Sequence, residues 1–123
     1  MLRFIITSEV MIMGLSFQNY GEERDIICTE EERKIFGAIY EAFMKNDGVE
    51  PDDVRLVRVS DNYVTIRFLG WDLMRLKFTN RAKWICFPLL DSVHHKIEFV
   101  SDVFDYDADI QDAANKILKY SNE

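Results

Sequence analysis

The chain has 123 residues, of which 48% are hydrophobic, 13% aromatic and 30% charged, with 5 glycines and 2 prolines. That composition excludes a disordered or low-complexity chain and fits one ordinary domain, long enough to bury a core without metal or disulfide staples. The formal net charge of −7 excludes a uniformly basic surface, yet the charge is segregated: residues 51–87 carry 7 Lys or Arg against 4 Asp or Glu, and both flanks are acidic.

The opening stretch, residues 1–17, is apolar but interrupted by Arg3 and Glu9 and lacks a small-residue cleavage site, so neither a membrane span nor a secretory leader is expected. Residues 2–6 read as a short strand and residues 16–28 as a loop. Cys28 and Cys86 both have apolar neighbours and read as buried free thiols of a reducing, cytoplasmic protein.

The first helix is predicted over 30–46. Thr29 and Glu32 have capping-box spacing, Glu30, Glu31 and Glu32 suit the positive end of the helix dipole, and Ile35, Phe36, Ile39, Ala42 and Phe43 form one apolar stripe. Asn46-Asp47-Gly48 and then Pro51 end it.

A meander of β-rich runs follows at Val54–Val59, Tyr63–Leu69, Asp72–Phe78 and Ala82–Phe87, with a fifth at Lys96–Val100. The connecting turns are placed at Ser60-Asp61-Asn62, Gly70-Trp71 and Thr79-Asn80-Arg81. Alternation sorts the side chains: Val64, Ile66, Phe68, Met74, Leu76 and Phe78 face a core, and Arg67, Arg75, Lys77, Arg81 and Lys83 face water. Tyr63, Ile85 and Phe87 are assigned to the watery face and Trp84 to the core. The last helix is predicted over 108–120, with Asp107 as N-cap and Ile110, Ala113, Ala114, Ile117 and Leu118 as its buried stripe.

These elements predict a single α+β domain over 1–123, with its core in 29–120. It is a two-layer sandwich, an antiparallel four- or five-stranded meander with an N-terminal and a C-terminal helix packed on one face.

No phosphate-binding loop, nucleophile elbow, nucleotide fingerprint or zinc spacing is present, which favours a binding protein over an enzyme and implies no cofactor. Asp105-Tyr106-Asp107-Ala108-Asp109 alternates carboxylates but lacks the glycine and distal Glu of a calcium loop. His94 and His95 are adjacent and point to opposite sides of a strand, so they do not share a metal.

Two surfaces remain as candidates. The preferred reading is a non-enzymatic protein-binding module using Asp105, Asp107 and Asp109 with an exposed aromatic turn at Trp71. An inhibitor or immunity-type protein belongs to the same class. The alternative is nucleic-acid or phosphate-ligand binding by Arg67, Arg75, Lys77, Arg81 and Lys83 on the outer sheet face, where cations interleave with aromatics.

Overall fold

The computed structural model describes residues 27–60 and 62–122, so the expected strand over 2–6 and most of the loop over 16–28 lie outside the described residues. Helix α1 spans Glu30–Met44 and begins as its sequence dictates. Thr29 Oγ1 accepts from Glu32 N at 3.1 Å, and the Glu32 carboxylate accepts from Thr29 N at 2.8 Å. The cap does a second task. Its other carboxylate oxygen accepts from Phe78 N at 2.9 Å, and Thr29 Oγ1 donates to Phe78 O at 2.7 Å. The helix start therefore satisfies both backbone groups of a strand residue, and Glu32 is buried in doing so.

Five strands follow in meander order: β1 Val54–Ser60, β2 Tyr63–Phe68, β3 Trp71–Phe78, β4 Lys83–Cys86 and β5 His95–Lys96. A 3-10 segment, Val100–Tyr106, runs directly into helix α2, Asp107–Ser121. Both helices pack on one face of the sheet, giving the α+β sandwich the sequence predicts. Ile35, Phe36, Ile39, Ala42 and Phe43 of α1 and Ile110, Ala113, Ala114 and Ile117 of α2 are buried. They meet Val54, Leu56, Val64, Ile66, Phe68, Met74 and Leu76 of the sheet. Phe43 and Phe68 meet edge to face, with centroids 4.9 Å apart.

The β2–β3 hairpin turns on Leu69 and Gly70, not on Gly70 and Trp71. Their φ angles of 53° and 85° are the left-handed pair that a tight hairpin matching strand twist requires. Phe68 pairs with Trp71, so the tryptophan opens β3 rather than standing in the turn. Ile66 pairs with Met74 and Arg67 with Asp72, which leaves Leu73 as an extra residue. This bulge lets Leu73 and Met74, neighbours in sequence, both face the core.

The fourth strand has the opposite parity to that expected. A four-residue turn closed by Thr79 N to Ala82 O at 2.9 Å sets Phe78 against Lys83, Lys77 against Trp84 and Leu76 against Ile85. Lys83 therefore shares the helix side with Phe78, and its Nζ lies 5.1 Å from the centre of that ring. Trp84 faces out, whereas Ile85 and Phe87 are fully buried in the core. Loop length decides this, because a one-residue change of register exchanges every side chain between faces.

The fifth strand is two residues long, not five. Ile97 N still donates to Lys83 O, but the Asp102 carboxylate then takes Glu98 N at 2.8 Å and Phe99 N at 2.9 Å. With both amides captured by a side chain, the chain leaves the sheet and coils. Asp107 is accordingly the first helical residue rather than the N-cap; Tyr106 occupies that place without a side-chain cap.

The two backbone hydrogen bonds hold the Asp102 carboxyl below the usual carboxylate range. A depressed pKa in the folded state stabilises above the unfolded value and is lost as pH falls through the folded one. Protection of the Glu98 and Phe99 amides, taken relative to their intrinsic exchange at each pH, is therefore expected to fall as the solution is acidified through the carboxylate range. In Asp102→Asn that acid-dependent step should disappear.

Candidate functional site on the outer face of the sheet

Antiparallel partners share a face, so the register defines what the side away from the two helices presents among the described residues. Val64 pairs with Leu76, which places Tyr63 level with Lys77 on the outer side. Lys77 pairs with Trp84, and Trp84 with Lys96. One row running across β2, β3, β4 and β5 thus reads Tyr63, Lys77, Trp84, Lys96: aromatic, cation, aromatic, cation.

The rings of this row reach one another. The Tyr63 and Trp84 centroids are 6.1 Å apart. The Arg75 guanidinium lies 5.5 Å from the Tyr63 ring centre, within cation–π range. His94, just ahead of β5, lies parallel to Trp84 with centroids 3.9 Å apart and planes 7° off. Arg75, Tyr63, Trp84 and His94 form a continuous ladder, with Lys77 and Lys96 at its sides. Trp84 belongs to this surface and not to the hydrophobic core.

The next row back carries Arg75 between Thr65 and Cys86. Thr65 and Cys86 are buried at the floor of the face, and Thr65 Oγ1 donates to Met74 O at 3.3 Å. Burial raises the Cys86 thiol pKa, so the group is a neutral thiol at physiological pH. Both cysteines are free. Toward the β2–β3 turn, Asp72 bridges Arg67 at 3.0 Å and Arg75 at 3.2 Å. Among the described strand residues this face carries Arg55, Arg67, Arg75, Lys77 and Lys96 against the single carboxylate of Asp72. A chain of net negative charge therefore presents a cationic sheet.

Of the residues expected there, Arg67, Arg75 and Lys77 lie on this face and are partly exposed. Lys83 does not: it lines a hollow with Thr29 and Glu31 on the helix side. Arg81 sits exposed in the β3–β4 turn, at the edge. Tyr63 is on the face as expected, whereas Trp84, Lys96 and His94 join it through pairings that alternation alone did not reveal.

The other expected surface is divided. Trp71 is 42% exposed and leans on Tyr120, with centroids 5.1 Å apart, near the C-terminal end of α2. Asp107 and Asp109 occupy the first turn of the same 15-residue helix, about 16–20 Å away at the helical rise, and Asp105 precedes it. Carboxylates at that end suit the helix dipole.

His95 turns to the opposite side from His94, as adjacent residues must. Its ring lies 5.2 Å from that of Tyr106. Its Nε2 is 3.3 Å from Asp91 Oδ2, close enough for an ion pair if the ring is protonated, but the geometry is not that of a hydrogen bond and the nitrogen has no other partner among the described residues. No group of three His, Cys, Asp or Glu side chains among the described residues is arranged to hold a metal. No helix among the described residues is long and apolar enough to cross a membrane. No protein-family model, curated protein or solved structure matches the chain.

Proposed function

We propose that the chain is a non-enzymatic binding module whose ligand is single-stranded nucleic acid, held on the outer face of the sheet. The observation that supports this reading is the Tyr63–Lys77–Trp84–Lys96 row with Arg75 and His94. Unpaired bases stack on aromatic rings, and their phosphates need cations between and beside those rings. Neighbouring strands are about 4.8 Å apart, so alternate positions across the row bring rings and charges into reach of successive nucleotides. A duplex hides its bases and offers such a platform only phosphates.

The net charge of −7 is compatible with this role because binding responds to the local field. Fluorescence anisotropy with a labelled single-stranded RNA tests it. Binding should weaken with salt along a log–log slope of about −2 to −3, the release expected from three or four phosphate contacts. Lys77→Glu with Lys96→Glu should abolish it. Absence of binding at low salt would refute the reading.

The exposed Trp71–Tyr120 pair supports a second reading, a protein partner docked against the end of α2. Cross-linking of a partner that disappears in Trp71→Ala and persists in the double Glu variant would favour that surface instead.

A further inference from the structure

We infer that the edge of the sheet, where the aromatic row ends, receives the 3′-terminal nucleotide of an RNA strand; the inference rests on the single-strand reading above. A cleft of about 740 Å³ lies between the ends of β4 and β5 and the 3-10 segment. That volume lies within the range of small-ligand sites. Trp84 and Lys96 line the cleft and also belong to the outer row, so row and cleft are one continuous surface.

The cleft carries both signs of charge. Arg81, Lys83 and Lys96 line it together with Trp84, and the acidic residues Glu98 and Asp105 belong to the same lining. Asp102 lines it too, but one of its oxygens already holds two backbone amides. Glu98 and Asp105 are exposed.

An internal nucleotide carries a phosphate on each side of its sugar. One could be neutralised by Arg81 and Lys96, but the other would meet carboxylates, a repulsive and unmatched pairing. A 3′-terminal ribonucleotide resolves the conflict. Its single backbone phosphate can take the cations, its base can extend the Trp84 stack, and its free 2′- and 3′-hydroxyls can donate to Glu98 and Asp105. Carboxylates are suited to ribose hydroxyls because they accept without competing as donors. The preference is therefore for an unmodified ribose end.

The experiment compares one RNA sequence with three ends: a free 2′,3′-diol, a 2′,3′-dideoxy terminus and a 3′-phosphate. The diol should bind tightest and the 3′-phosphate about tenfold more weakly, the weight of one charge-assisted hydrogen bond removed or opposed. In Glu98→Gln with Asp105→Asn the difference between ends should vanish, while salt-sensitive binding and the unfolding temperature persist. Equal, salt-sensitive binding of all three ends to the native protein would overturn the end-recognition inference and leave the single-strand reading standing. No binding of any of them would overturn both.

Discussion

Glu32→Ala is expected to lower the unfolding free energy by about 3–4 kcal/mol, read from urea unfolding followed by tryptophan fluorescence. The loss comes from two places at once. Removing the carboxylate leaves Thr29 N and Phe78 N without their acceptors, and Phe78 lies in the core cluster where water does not readily replace the bond. An ordinary cap deletion costs about 1 kcal/mol, so a loss of that size would mean that the tie to β3 contributes nothing. Glu32→Gln keeps the shape but presents an amide NH2 to one of the two N–H donors, and should retain about half the lost stability. Thr29→Ala removes a bond to the opposite backbone group of Phe78. Its effect should be non-additive with Glu32→Ala, because the two side chains hold each other as well as the strand.

The second large effect concerns binding. Trp84→Ala is expected to weaken single-stranded RNA binding by about ten- to a hundredfold, because base–aromatic stacking contributes about 1–3 kcal/mol per base. Trp84 is also the platform under His94 and the neighbour of Tyr63, so its removal opens the ladder in the middle. It lies outside the core cluster, and the variant should unfold at nearly the native temperature. Trp71→Ala, on the helix side against Tyr120, should leave RNA affinity unchanged. Matching losses in the two variants would show that the tryptophans report fold integrity rather than a binding surface.

The parts of the fold visible in the sequence are those encoded over short distances. Thr29 and Glu32 announce the start of α1 because both halves of a capping box lie within one turn. The stripes of α1 and α2 are visible for the same reason, as is the alternation of Val64, Ile66 and Phe68. What alternation could not supply is where the count restarts after each turn. The positive-φ pair at Leu69 and Gly70 places a leucine where glycine or asparagine is usual, which concealed the hairpin by one residue. The bulge at Leu73 breaks period two inside a strand with no glycine to mark it.

The parity of β4 follows from the length of the turn after Phe78. Thr79 Oγ1, which accepts from Arg81 N and Ala82 N, was the available signal for a four-residue connection. With Lys83 forced to the helix side, Trp84 moves outward and the aromatic row exists. The candidate site was thus half legible. Arg67, Arg75, Lys77 and Tyr63 came from local alternation, while Trp84, Lys96 and His94 depend on non-local register.

Mapping amide and indole shifts by NMR, as an unlabelled single-stranded RNA is titrated into isotope-labelled protein at low salt, tests the outer face most directly. The shifts should concentrate on Tyr63, Arg75, Lys77, Trp84, His94 and Lys96, with the Trp84 indole moving and the Trp71 indole still. Shifts centred on Trp71 and Tyr120 or on the first turns of the helices, or a spectrum unchanged throughout, would contradict the account.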